Sequence, residues 1–392
     1  MKKEVLSKSD KEKYFTTIVK LIDDNYVRKD ILENKWNDIV QKYSKKLEHI
    51  KFFDELYLFL DDMLLELGDP HTRFRNLKSF KIPKVVLTDI NDDIYISGIC
   101  YSESKLKIGF KLISVNGINV KELLKEKSKK FKFRSINIIK INTVNELSKS
   151  INVGDVLLAE YDGKIVEDIV TSSDEIITDY FNKSNKDKLK NEVIKKFHDV
   201  LYFNLISFRS KEIVDKLEKV IHETEVKKLI IDLRVNNGGL VELAKRAAGL
   251  FLENDIVIGY TQDRNKKISP IEIISTSNYI QKVNKIIILV GENTGSCAEN
   301  IFLKSLKDSN KKIVVIGTKT MGLIDQATEF KFNDGSVLQV TTKVYLDKNK
   351  EKISNDGIDA NIVVNLDSNI FNNVDRQLNK ALDFMKGDTS YV

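Results

Sequence analysis

The sequence predicts a multidomain α/β chain, and three observations carry that expectation. At 392 residues it is too long for one typical domain of roughly 100–200 residues. Its apolar pattern changes along the chain, from helical spacing to short β-like runs, then to buried runs interleaved with helices. With 42% hydrophobic and 31% charged residues, the composition is that of a globular protein and not of a disordered one.

Each element follows in order. Tyr14, Ile18, Ile22 and Tyr26 recur at helical spacing, as do Phe52, Leu56, Leu60 and Leu64, so residues 11–67 read as helices within an N-terminal helical region, 1–80. Gly68 supplies a stop and Pro70 follows it, so DPHTRF (69–74) leaves the helix as a short turn. From Pro83 the runs KVVLTDI, DIYISGIC, FKLISVNG and DVLLAEYDGKIVEDIV, punctuated by Asn116-Gly117 and Asp162-Gly163, predict a β-rich module over 83–168. The remainder, 169–392, opens with a helical connector and then alternates strands and helices. FNLISF (203–208), KLIIDLR (228–234), KIIILVG (285–291) and KIVVIG (312–317) read as strands. SKEIVDKLEKVIHE, VELAKRAAGLFL, CAENIFLKSLKD and a tail from about Asp367 to Val392 read as helices. That alternation predicts a βα-layered core with its site at the strand C-termini.

Composition excludes several classes. Lys+Arg 64 against Asp+Glu 58 leaves +6 over the whole chain, too thin an excess to imply nucleic acid. Gly 17, Pro 3 and Cys 2 exclude collagen and disulfide scaffolds. Cys100 and Cys297 stand in unrelated contexts, and His49, His71, His198 and His222 show no HxxxH spacing. Neither a metal nor a cofactor is therefore expected. The runs KSNKDKLKNEVIKK (183–196) and KEKSKKFKFR (125–134) read as solvated faces and connectors. No secretory signal or membrane-spanning stretch is visible, so the chain as written reads as cytoplasmic, or as extracytoplasmic if a leader was removed.

Three segments hold residues suited to chemistry. In VGENTGSCAE a buried strand delivers Ser296 to a helix start, where backbone N–H groups stabilise an oxyanion. The same Ser296-x-x-Glu299 spacing is also an ordinary capping box, and from this segment alone the cap is the better reading. In DLRVNNGG (232–239) two glycines allow close backbone approach, while Asp232 and Arg234 also fit an internal salt bridge that orders the turn. His71, in its turn, has the chemistry of a general base near neutral pH, although most lone histidines are structural. Cys297 reads as a small apolar residue in the first helical turn.

Together these pieces resemble the carboxyl-terminal processing (tail-specific) serine peptidases, with their tricorn-protease and retinoid-binding-protein relatives. The ordered set runs from LGDPHTRF through GFKLISVNGINV, LIIDLRVNNGG, ENTGSCAE, VVIGTKTMG and DGSVLQVTTKVYL to DGIDANIVV. The resemblance implies a PDZ-like module over 83–168 and a ClpP/crotonase-like catalytic core. It makes Ser296 the nucleophile and gives the oxyanion hole to the N–H of Cys297 with that of Gly238 or Gly239.

One departure redirects the mechanism. The processing branch places its lysine base directly after the glycine of a segment that here reads GTKTMGL, and that position is Leu323. Lys319 and Lys343 are the alternative bases. The tricorn-like branch takes its base from the segment matching DPHTRF, which is His71, and an acid from the segment matching SNDGID (354–359). Asp356 or Asp69 would then orient the imidazole. The expected function is that of a serine endopeptidase acting on flexible polypeptides through an acyl-enzyme, with room left for a homo-oligomer. The rival reading is a catalytically inactive, ligand- or peptide-binding member of the same fold.

Overall fold

In the computed structural model, residues 5–76, 83–101, 103–172, 193–223, 227–277, 279–309 and 312–387 are described. Most of the expected helical connector and of the charged run 183–196 lies outside them. The N-terminal helices are Lys8–Asn25, Asn37–Ser44 and Phe53–Leu65. Ser7 starts the first, its Oγ accepting the Asp10 N–H at 3.0 Å. Ile18 and Ile22 meet Leu56, Leu60 and Leu64 around buried Trp36, as their helical spacing predicts. Gly68 ends the last helix in the left-handed region (φ 70°). The chain then turns into β1 (Arg73–Asn76).

Next comes an antiparallel sheet of β2 (Val85–Ile90), β3 (Asp93–Ile99), β4 (Lys111–Val115), β5 (Ile118–Asn119), β6 (Val156–Tyr161) and β7 (Lys164–Ile169). Its order is β2-β3-β4-β6-β7, with β5 on β4. Asn116-Gly117 and Asp162-Gly163 turn with positive φ at both residues, the backbone that tight hairpins need and Asn-Gly or Asp-Gly supply. Helices Val120–Ser128 and Ile136–Ser150 interrupt the sheet. The run KEKSKKFKFR, from the end of the first of these helices into the link to the second, is more than a solvated face. Phe131 and Phe133 are buried there, and Lys130 pairs with Asp62 and Glu146.

The rest of the chain adds β8 (Ile194–Phe197), β9 (Val200–Asn204), β10 (Lys228–Asp232), β11 (Ile256–Asp263), β12 (Ile268–Ile273), β13 (Lys285–Val290), β14 (Ile313–Gly317), β15 (Gln326–Lys331), β16 (Ser336–Leu346) and β17 (Ile362–Val363). One sheet runs β17-β14-β13-β10-β9-β8, parallel except for the last pair. Its central strands alternate faces. Leu229, Ile231, Ile286 and Ile288 pack under helices Lys211–Glu223 and Val241–Gly249, while Ile230, Ile287 and Leu289 pack on the terminal helix Arg376–Lys386. Burial on both faces explains the unbroken apolar runs, and each such side chain contributes roughly 1.5–3 kcal/mol. The second sheet, β1-β16-β11-β12 with β15 on β16, takes its first strand from the N-terminal region.

Three boundaries differ from expectation. The strand expected at FNLISF (203–208) runs instead from Val200 to Asn204, and beyond it the backbone leaves the sheet for the 233–239 turn: Phe208 N–H goes to Gly238 C=O at 3.0 Å and Asn236 Nδ2 to Leu205 C=O at 2.7 Å. The helical tail is broken in two: Asp367 caps a short 3-10 helix, Ser368–Asn372, and the terminal α-helix begins only at Arg376, where Asp375 accepts the Leu378 N–H at 3.0 Å. The helix over CAENIFLKSLKD opens with a wide π-type turn, Ala298–Leu303, before Lys304–Ser309.

Candidate active site

Ser296 stands where β13 has ended and the next helix has not begun. Its φ is 54°, a left-handed conformation that a non-glycine residue adopts only under constraint. Such a residue is not a regular helix cap, whose backbone is extended. The capping-box reading is therefore corrected: the Glu299 N–H meets Ser296 C=O at 3.0 Å, but its carboxyl does not reach back to the Ser296 N–H, which donates instead to Leu323 C=O at 3.0 Å. The Ser296 carbonyl receives Asn300, through its N–H at 2.8 Å and its Nδ2 at 3.1 Å. The backbone is clamped on both sides, while no hydrogen bond among the described residues holds the Ser296 hydroxyl.

Glu299 has a different task. Fully buried, its carboxyl accepts Thr320 Oγ1 at 2.5 Å, Gly322 N–H at 3.0 Å and Leu323 N–H at 3.2 Å. Burial pushes its pKa up to about 7 against those stabilising donors. It thus fixes the loop whose Leu323 carbonyl holds Ser296. Sequence reasoning missed this role because the capping box offered a local explanation for the same glutamate.

The double glycine faces the serine. A Cβ on Gly238 (φ 99°) would lie 2.6 Å from Ser296 Cβ and 3.1 Å from its Oγ, so the approach requires glycine. The Gly238 N–H is taken by Asn236 Oδ1 at 2.9 Å. The Gly239 and Cys297 N–H groups both lie against Cys297 Sγ, with no backbone carbonyl accepting either among the described residues. The Cys297 thiol is buried and pushed up to about 12, so it is inert near neutral pH. Asp232 and Arg234 form the internal pair that the turn suggested, at 2.6 Å, extended by Tyr202 and Asp375.

His71 is buried 5% exposed on the turn before β1. Asp69 shapes that turn, accepting the His71 N–H at 3.0 Å and Thr72 Oγ1 at 2.9 Å. Burial is the main cause that brings the imidazole down to about 4; Asp69 opposes the fall, and Arg28 and Arg75 add to it. The ring is neutral at pH 7. Arg28 lies between Asp69, at 3.8 Å, and buried Asp325. Tyr345 lies in electrostatic reach of both Asp325 and Cys297, and Arg209 of both Arg75 and Cys297. Arg28, paired with Asp69 and Asp325, links the His71 turn to the segment just after Leu323, although no hydrogen bond among the described residues joins the imidazole to Ser296. Asp356 is exposed and accepts from Ser354 in its own turn. Among the described residues no three His, Cys, Asp or Glu side chains converge as a metal site requires.

Two segments of the chain match known protein families. Residues 199–364 match Peptidase family S41, and residues 7–65 match the Tricorn protease C1 domain. Residues 199–364 are thus similar to S41 peptidase domains. Among the chain's relatives, carboxyl-terminal-processing peptidase 3, chloroplastic, of Arabidopsis thaliana is 30% identical over 193 residues, 48% of this chain and 36% of that protein. A probable CtpA-like serine protease of Staphylococcus aureus is 35% identical over 158 residues, 40% of this chain and 30% of that one. The matches thus span about a third of those relatives' own length. Mature CPAF shares the fold at TM-score 0.71 and 14% identity, covering 98% of this chain and 99% of its own. The tricorn protease does so at 0.54 and 16% identity, covering 98% of this chain and 37% of its own.

Within the region matching Peptidase family S41, neither alternative lysine makes a hydrogen bond to Ser296 among the described residues. Lys319 is 44% exposed and paired with Asp359 at 3.2 Å. Lys343 is partly exposed on β16, opposite Asp263 and Gln326 of the flanking strands. Leu323 packs its side chain on the apolar cluster of Leu65, Phe131, Phe133, Ile138 and Met321. No helix among the described residues is long and apolar enough to cross a membrane.

Proposed function

We propose that this chain is a serine endopeptidase in which Ser296 attacks a peptide carbonyl and His71 accepts its proton. The observation that carries the reading is the clamped left-handed backbone of Ser296, with an unbonded hydroxyl beside Gly238. A strained residue held from both sides while its side chain stays free is what a nucleophile needs, and what a helix cap does not. The N–H groups of Cys297 and Gly239 are the oxyanion donors, since Gly238 has spent its own on Asn236. His71 supplies a neutral acceptor, and Asp69 is the charge that steadies the imidazolium formed in the step. An acyl-enzyme on Ser296 Oγ forms as the amine leaves, taking the proton from His71, and water then hydrolyses it. The β-rich segment 83–168 is read as a PDZ-like module that holds an extended chain along a sheet edge.

The test is labelling of the purified protein with a fluorophosphonate, located by mass spectrometry, beside Ser296→Ala and His71→Gln. Labelling at Ser296 that both variants abolish supports the reading. Labelling that survives His71→Gln removes the histidine from it. The second reading, a ligand- or peptide-binding member without catalysis, is favoured by the unbridged imidazole and hydroxyl, and predicts no labelling of the folded protein from pH 6 to 9.

A further inference from the structure

Residues 26–28, between the N-terminal helices, enter the neighbourhood of the site directly. Val27 N–H donates to Thr341 C=O of β16 at 3.0 Å, and Arg264 reaches back to the Tyr26 carbonyl at 3.1 Å. Thr341 in turn gives its N–H to Thr72 Oγ1 at 3.1 Å, and that hydroxyl donates to Asp69. This docking sets the Arg28 guanidinium, 20% exposed, between two carboxylates of different origin. Asp69 belongs to the His71 turn. Asp325 lies two residues beyond Leu323, the residue that holds the Ser296 N–H.

Resting on the serine-peptidase reading above, we infer that Arg28 is a positioning residue: it ties the His71 turn to the Ser296-holding loop and keeps the imidazole a neutral acceptor. Two buried carboxylates facing one another repel, and a single planar fork able to meet both removes that conflict. Beside burial, which dominates, its charge also disfavours a proton on His71. The charged groups facing that ring are Asp69 on its own turn, Arg28 from the N-terminal segment and Arg75 from β1. Asp325 and Tyr26 face Asp69 and Arg28 from the next layer. Of these only Asp69 favours the imidazolium, and Arg28 is the cation that neutralises Asp69. Without Arg28, Asp69 and Asp325 are left uncompensated, and a proton on His71 is the nearest remedy.

The prediction is a change in pH dependence and not merely a loss of activity. Replacing Arg28 by a neutral side chain should raise the His71 titration by about 1–3 pH units, the usual effect of one nearby charge in a buried setting. Full-length protein carrying 13C-labelled histidine is titrated by NMR, with His71→Gln to assign the signal among four histidines. In the wild type the His71 signal should not titrate above pH 5; in Arg28→Gln it should titrate between about pH 5 and 7. Arg28→Lys, which keeps the charge, should restore the wild-type curve. Wild-type titration of His71 above pH 5 would overturn the inference, whether or not the Arg28 variants fold. A His71 curve in folded Arg28→Gln matching the wild type would overturn it too, as would an Arg28→Lys curve displaced upward. Fluorophosphonate labelling against pH is recorded in parallel, and its acid limb should move with the NMR curve. Absence of labelling in a wild type whose His71 behaves as stated would sink the peptidase reading alone.

Discussion

Gly238→Ala puts the closest contact of the site to the test. The new methyl carbon would stand 2.6 Å from Ser296 Cβ, 3.1 Å from its Oγ and 3.1 Å from Gly295 C=O. Carbon atoms settle at about 3.5–4.0 Å, so Ser296 must retreat by roughly 1 Å or the 238 turn must open. The φ of 99° adds a backbone penalty of about 1–2 kcal/mol for any residue with a Cβ, and overpacking adds about 1–3 kcal/mol. A reacting group displaced by 1 Å loses about 100-fold in rate. The assay is the second-order rate of fluorophosphonate labelling at Ser296, with urea unfolding recorded on the same sample. Gly154→Ala separates the two costs, because its φ is 93° but nothing lies within 4 Å of the new carbon. It should lose stability and keep its labelling rate. Gly295→Ala meets Met321 Sδ at 2.8 Å, a flexible chain able to yield, and should slow labelling much less than Gly238→Ala. Labelling of Gly238→Ala at the wild-type rate, with stability unchanged, would refute the claim that this glycine shapes the serine.

Other predictions probe the surrounding groups. Glu299, raised by burial to about 7, binds more protons folded than unfolded, so its contribution to stability is complete at low pH and fades as pH rises through 7. Glu299→Gln should flatten that stretch of the stability-versus-pH curve, on the order of 3 kcal/mol, and a slope identical to wild type would exclude the assignment. Lys319→Met should leave labelling within about twofold, because an exposed ion pair contributes little; abolished labelling would make this lysine the base. Asp69→Asn should slow labelling and cost about 3–5 kcal/mol in urea by breaking a buried charge pair, while Asp356→Asn changes neither. The reverse pattern would transfer the orienting role to Asp356.

Local chemistry made much of this architecture legible. Ile286 to Val290 announce a strand buried on both faces, and Asn116-Gly117 announces a turn that accepts positive φ. Asp69 in DPHTRF has the residue type and position to build the turn that presents His71. What stayed hidden depends on residues brought together from distant segments. Glu299 satisfies the spacing of a helix cap, and only the folded chain reveals that Thr320, Gly322 and Leu323 have claimed its carboxyl. Arg28 is one basic residue among 64, with nothing in its sequence neighbourhood to mark it as the partner of Asp69 and Asp325. The end of β9 was misplaced for a similar reason, since Leu205 and Phe208 keep the apolar texture of a strand while bonding to the 233–239 turn.

Leu323 shows how a loop keeps its place after its expected side chain is gone. A lysine there would put an amine against Leu65, Phe131, Phe133, Ile138 and Met321, surroundings that favour its neutral form and suit it to proton transfer. Leucine is at home in the same apolar cluster but takes no proton. The backbone requirement is unaffected by that exchange: Leu323 N–H still meets Glu299 and Leu323 C=O still meets Ser296 and Asn300. Retaining GTKTMGL is therefore no evidence for a lysine-driven mechanism, and losing the lysine is no evidence against an activated serine. The loop sets the conformation of Ser296 by its main chain. Proton acceptance is a separate requirement, and the proposed function gives it to His71, whose burial favours its neutral form.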